Sequence, residues 1–165
     1  MLVIGIDPGV ATTGYVLVDE DKSGSLALVD FGVILTPAGL PLHERLLELH
    51  SKLTEILLLH QPQSGAVEKL FFQKNVRTAM SVGQARGVAL LALAQAGVSV
   101  AEYTPLVVKQ AVAGYGGADK NQVQQMVRAL LGLERVPRPD DAADALAVAI
   151  CHLHSARFAG MVEGQ

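Results

Sequence analysis

Cysteine is nearly missing from this sequence: Cys151 is the only one in 165 residues. An internal disulfide framework is therefore excluded, and a lone thiol suits a reducing cytoplasm. Cys151 sits in an apolar stretch of helical character, where buried filling is expected of it rather than nucleophilic chemistry. Aromatics are also scarce, at 4% with no tryptophan, which leaves the core to Leu, Val, Ile and Ala. No apolar run approaches the length that crosses a bilayer. The opening, Met1-Leu2-Val3-Ile4-Gly5-Ile6-Asp7, has no basic leader and meets an acid at once, so no signal peptide is expected.

What is present is enough apolar material for a real core. Half the residues are hydrophobic and the mean hydropathy is +0.35, so disorder is not expected, and 165 residues suit a single domain. The net charge of −3 argues weakly against a nucleic-acid partner, but its distribution argues otherwise. Residues 1–68 carry three bases against nine acids, residues 69–138 nine bases against three acids, and residues 139–165 one base against four acids. A basic block lies inside an acidic chain.

Hydrophobic periodicity places the elements. LVIGID (2–7) reads as a buried central strand, PGVATTG (8–14) as a turn, YVLVDE (15–20) as a strand, and LALVDFGVIL (26–35) as a third. Tight turns between them predict an antiparallel meander. From Pro41 to about His60 the leucines recur at helical spacing, and Pro62 closes that helix. GAVEKL (65–70) and VSVAEY (98–103) read as further strands, separated by a helix over about 75–96 that Gly97 ends. Thr104-Pro105 opens a short helix with Thr as its cap, GYGGA (114–118) is a loop, and helices over 119–131 and about 140–157 complete the chain. The fold class is α/β: a mixed five-stranded sheet flanked by helices, the order of a ribonuclease-H-like fold.

The acids carry the chemistry. Asp7 ends the first strand, and Glu68 ends what should be its neighbour, so both fall on the sheet edge where open α/β sheets bind ligands. Asp141 and Asp144, three apart at the start of the last helix, project from one face. Asp140 and Asp144 share a face as well, so spacing does not choose between Asp140 and Asp141, although Asp140 suits a helix cap better. Carboxylates that converge without a counter-ion repel. An all-oxygen set suits Mg²⁺ or Mn²⁺, and two such ions about 4 Å apart clamp the attacking and leaving oxygens of a phosphoryl displacement. Metal-dependent phosphodiester hydrolysis is the expected reaction.

Five segments then carry a resemblance. GIDPGVATTG (5–14), VEKLFFQKN (67–75), GQARGVAL (83–90), VKQAVAGYGGADK (108–120) and DDAADALAVAICH (140–152) are similar in order and spacing to the RuvC family of Holliday-junction resolvases, over nearly the whole chain. The resemblance implies that the metal-binding carboxylates are Asp7, Glu68, Asp141 and Asp144, which decides between Asp140 and Asp141. It implies a homodimer that nicks two opposing strands of a four-way junction symmetrically in recombination and repair, two Mg²⁺ per subunit with Mn²⁺ as substitute, and cooperation with the RuvAB branch-migration machinery. It also places functional lysines at Lys109 and Lys120, with Lys120 in the catalytic set, and a DNA-facing aromatic at Phe71. Lys69 and the additional acid Asp140 depart from the family pattern.

Several weaker signals accompany these. Phe71-Phe72 with Lys74 and Arg77 combines stacking surface and phosphate-binding charge next to Glu68. Ala79, Gly83 and Gly87 form a small-residue row that suits a two-fold helix seam. His152 and His154 read as ordinary helical residues. Two other functions fit less well: an actin-like ATPase or sugar kinase needs a second domain around its nucleotide, and a non-catalytic DNA-binding module needs no full carboxylate set.

Overall fold

The computed structural model describes residues 1–69 and 76–163, with the side chains of residues 76–78 and 157–163 outside that description. Strands β1 (Leu2–Asp7), β2 (Thr12–Glu20) and β3 (Leu26–Leu35) form the antiparallel meander, and β4 (Ser64–Glu68) and β5 (Ser99–Tyr103) add in parallel beside β1. The sheet order is β3-β2-β1-β4-β5, which makes β1 the central strand. Helices α1 (Leu42–His60) and α2 (Val76–Gln95) cover one face; α3 (Pro105–Ala113), α4 (Lys120–Leu130) and α5 (Asp140–Glu163) cover the other.

Alternation along the strands divides the core between those faces. Ile4, Ile6, Leu17 and Val67 pack with Leu49, Leu53, Leu57 and Leu93 beneath α1 and α2. Val3, Val16, Val18 and Ala66 pack with Leu146, Ile150 and Leu153 beneath α5. Full burial of each large aliphatic contributes about 1.5–3 kcal/mol, so the two layers supply the fold with its main driving force.

Strand β2 begins at Thr12, three residues before the expected start at residue 15. The reason is Thr13, which is fully buried and closes the turn on Gly9: its hydroxyl donates to the Gly9 carbonyl at 2.6 Å and accepts from the Gly9 amide at 3.2 Å. The turn shortens accordingly, and Gly14 enters the ladder opposite Asp7.

Helix α5 is apolar nearly all round because it lies between the sheet and α3 and α4. Its small residues allow a close approach to the sheet, with Ala145 and Ala149 lying against Gly5 of β1. Two glycines complete it. A Cβ on Gly5 would collide with the backbone of Ala145, and one on Gly14 with the backbone of Asp141, in both cases closer than 3.0 Å. Cys151 is buried in the same layer, its thiol pushed up to about 11 by burial, as suits the filling role expected of it.

One polar bridge crosses this layer. His152 on α5 bonds Ser64 Oγ of β4 through Nε2 at 2.9 Å and the Tyr103 hydroxyl of β5 through Nδ1 at 2.8 Å. It is thus more than an ordinary helical residue, since it ties α5 to the two parallel strands. Burial holds its imidazole below the usual histidine value. The neutral ring is favoured in the folded protein, so its contribution is complete above the unfolded value of about 6.5 and lost as pH falls toward the lower folded one.

Two outcomes follow from these contacts. Gly14→Ala is expected to cost about 1–3 kcal/mol, because α5 must lift from β2 to admit the methyl group, and chemical denaturation measures it. Acidification from pH 7.5 to 5 is expected to lower the melting temperature of the parent protein more than that of His152→Gln. Parallel slopes in a calorimeter would show that His152 does not titrate with unfolding.

Candidate active site

Asp7 and Glu68 end adjacent parallel strands whose pairing runs through Ile6 and Val67, so their carboxylates stand side by side at one sheet edge. The Lys69 amide donates to the Tyr103 carbonyl at 2.7 Å, extending the β4–β5 ladder past Glu68 and fixing the backbone that carries it. Across β1 on the other side, Asp7 faces Gly14, over which the Asp141 backbone lies. Asp144 follows one turn later on α5.

The electrostatics show that these groups feel one another. Burial pushes the Asp7 carboxyl up to about 7, and the charges of Glu68, Asp144 and Asp141 push in the same direction, with Lys120 opposing. Burial likewise raises Glu68, reinforced by Asp144 and opposed by Lys109 and Lys120. Low-dielectric surroundings and converging like charge are the two effects that disfavour an ionised carboxylate.

Cations sit opposite. Lys120, the first residue of α4, is placed by a capping box in which Asp119 accepts from the Gln122 amide and Gln122 accepts from the Asp119 amide. Its ammonium donates to Asp144 Oδ2 at 2.9 Å and lies 3.4 Å from Asp140 Oδ2. Burial works to lower its pKa, but the hydrogen bond and charge of Asp144, with Asp140, outweigh that and raise it. Lys109 on α3 is half-buried and, with Lys120, Glu68 and Asp144, lines a cleft of about 290 Å³ floored by Val108, Val123 and Ala147. A larger hollow of about 440 Å³ between β3 and residues 133–138 is mostly apolar and holds one acid, Glu134.

The arrangement is open rather than closed. Among the described residues, no three acid, histidine or cysteine side chains stand close enough together to hold a metal ion as placed. The donor set is nonetheless of the right kind: four carboxylates around the strand ends, with a mutual repulsion that a divalent cation would relieve. Asp7, Glu68, Asp141 and Asp144 are the groups available to hold one.

The other expected site residues divide. Lys109 and Lys120 join the cleft. Phe71 and Lys74 lie outside the described residues, as does the side chain of Arg77 in the first turn of α2. On α2, Ala79 and Gly83 are half-buried, whereas Gly87 is exposed and a Cβ there would meet open space; Met80 and Leu91 flank it at 66% and 53% exposure. Among the described residues, no helix is long and apolar enough to cross a membrane.

Sequence reasoning did not single out Gly5 and Gly14. Gly5 shows in the sequence only as a glycine inside an apolar strand, which marks close backbone approach, and Gly14 only as the last residue of an expected turn. The role suggested for Asp140, a helix cap, also gives way to something else: Oδ2 faces Lys120, while Oδ1 takes Arg138 Nη1 at 2.7 Å and Gln124 Nε2 at 3.5 Å.

Comparison with known proteins agrees with this architecture. The family model for crossover junction endodeoxyribonuclease RuvC matches residues 3–152. The chain is 64% identical to the crossover junction endodeoxyribonuclease RuvC of Chloroflexus aggregans over 156 residues, 94% of each chain. It is 58% identical to that of Desulfitobacterium hafniense over 164 residues, 99% of each. Among solved structures it is similar to Thermus thermophilus RuvC, with a TM-score of 0.90 and 41% identity over 96% of this chain and 97% of that one. It is equally similar to T. thermophilus RuvC in complex with Holliday junction substrate, with a TM-score of 0.91 and 41% identity over 96% of both chains. With the family model matching residues 3–152 and 64% identity over 94% of its length, the chain belongs to the RuvC family of crossover junction endodeoxyribonucleases.

Proposed function

We propose that this chain, as one nuclease domain, resolves Holliday junctions by hydrolysing a phosphodiester in each of two opposing strands, with Asp7, Glu68, Asp141 and Asp144 as its metal-binding carboxylates. One observation carries the reading. Asp7 is held at about 7 by burial and by the three other acids of that set, an arrangement unfavourable in itself and useful for binding a cation. The relative solved with a Holliday junction substrate supports four-way junction DNA as the ligand.

Two Mg²⁺ ions, with Mn²⁺ as substitute, fit an all-oxygen donor set; bound there, they supply charge stabilisation to the attacking and leaving oxygens of an in-line displacement. The chain's own groups do the rest. Asp7, desolvated and held at about 7, and Glu68, raised by burial and by Asp144, would both be favoured in their ionised form by a bound cation. Lys120 and Lys109 line the same cleft, Lys120 as the ammonium that meets negative charge developing on the phosphate and Lys109 as a phosphate contact. Phe71 serves as a stacking surface for an unpaired base, with Lys74 and Arg77 on the backbone beside it.

Symmetric cleavage needs two such sites related by a two-fold axis, so the working form is a homodimer; the outward Gly87 between Met80 and Leu91 on α2 supports a helix seam there. Cooperation with a RuvAB branch-migration complex and action in the cytoplasm belong to the same reading.

Asp141→Asn tests it. Cleavage of a synthetic four-way junction in Mg²⁺ is expected to fall by roughly 10²-fold or more, while gel-shift affinity for the junction is kept or improved as repulsion toward phosphate drops. Cleavage within about tenfold of the parent would contradict the assignment of Asp141.

A further inference from the structure

Asp140 stands beside the carboxylate set without belonging to it, and the RuvC resemblance does not account for it. Its position is unusual in one respect. Lys120 is shared between two carboxylates one helical turn apart on α5, at 2.9 Å from Asp144 Oδ2 and 3.4 Å from Asp140 Oδ2. The Asp140 carboxylate is itself oriented from its other side, because Arg138 Nη1 binds Oδ1 at 2.7 Å and leaves Oδ2 facing the ammonium. All three side chains are substantially exposed, Lys120 at 52%, Asp140 at 46% and Asp144 at 41%. Ion pairs that open to water contribute little to stability, so the arrangement calls for a different explanation.

The two anchors have different fates when the site fills. Asp144 belongs to the set proposed to hold divalent cations, and a cation that takes its carboxylate both removes the partner of Lys120 and repels the ammonium. Asp140 is outside that set and keeps Oδ2 turned toward the ammonium while Oδ1 stays with Arg138. The backbone of Lys120 cannot follow a departing side chain, since the Asp119 capping box fixes the start of α4. With Asp144 alone, the ammonium would be expelled into solvent as the metal arrives. With Asp140 beside it, a displacement of less than the distance between two neighbouring carboxylates keeps it at the mouth of the cleft.

We propose that Asp140 is a positioning residue for Lys120, taking over its ammonium when a divalent cation occupies Asp144, so that the charge stays beside the scissile phosphate; this rests on the metal-site reading given above. Asp140 itself touches neither the phosphate nor the metal.

Lysine labelling in the homodimer reads the handover without relying on cleavage. Lys120 is modified with a water-soluble amine reagent, with and without Mg²⁺, and quantified by mass spectrometry against Lys22 as an exposed internal standard. In the parent protein, Lys120 is expected to stay protected in both conditions. In Asp140→Asn it should become several-fold more reactive when Mg²⁺ is added and not before, and Asp140→Glu should restore protection. Single-turnover cleavage completes the test: Asp140→Asn is expected to slow the step about tenfold without changing junction affinity, less than the roughly 10²-fold that a 1 Å misplacement can cost. The same substitution in a Lys120→Met background should have no further effect, since the residues act as a pair. An equal loss in both backgrounds would mean that Asp140 acts on the metal directly, and unchanged Lys120 reactivity in Asp140→Asn would mean that it does not hold the lysine; either overturns the proposal. A metal-site reading that is itself wrong shows separately, as Asp144→Asn protein that still cleaves.

Discussion

Four carboxylates that repel one another are kept together because α5 lies against β1 and β2 at a distance only glycine permits. Gly5 admits the backbone of Ala145 and Gly14 that of Asp141, so the first turn of α5 falls over the end of β1 where Asp7 stands. The parallel pairing of β1 with β4 then delivers Glu68 to the same edge. Nothing in the local preferences of these residues favours the gathering; it is imposed by packing over the rest of the sheet. The burial of Ile4, Ile6, Leu17, Leu146 and Ile150 offsets the electrostatic cost.

The helical layer above the sheet turns that gathering into a usable cleft. Helix α3, started by Thr104, whose hydroxyl accepts from the Val107 amide, carries Lys109; α4, started by the Asp119 capping box, begins with Lys120. Both lysines therefore stand on first or second turns whose backbones are pinned by caps. Their reach toward Glu68 and Asp144 is limited to side-chain motion. His152 fixes the other end of the assembly by joining α5 to Ser64 and Tyr103, two turns beyond Asp144. Fixed backbones carrying long cationic side chains suit the cleft proposed to admit a metal and a DNA strand.

Much of this architecture is legible in the sequence, for identifiable reasons. The strand at 2–7 and the meander after it show as apolar runs between turn residues, and Thr104-Pro105 marks a helix start by capping chemistry alone. The start of β2 at Thr12 was not legible, because it depends on a buried hydroxyl bonded to both polar groups of Gly9. The shared placement of Asp7 and Glu68 could be read from strand ends. The approach of Asp141 could not, since it depends on a tertiary contact at Gly14. Local spacing left Asp140 and Asp141 equivalent. The structure separates them physically: Asp141 acts on Asp7, whereas Asp140 pairs with Lys120 and Arg138. Phe71 and Lys74 lie outside the described residues.

The central claim is that Asp7 is forced by burial and by its acidic neighbours into a state that a divalent cation relieves. A ¹³C-carboxyl NMR titration of Asp7, run with and without Mg²⁺, measures that state directly. The account predicts a midpoint of about 7 in the metal-free protein and a large downward displacement when Mg²⁺ is added. A metal-free midpoint near the ordinary value of 3.8, or a midpoint that Mg²⁺ leaves in place, would contradict it.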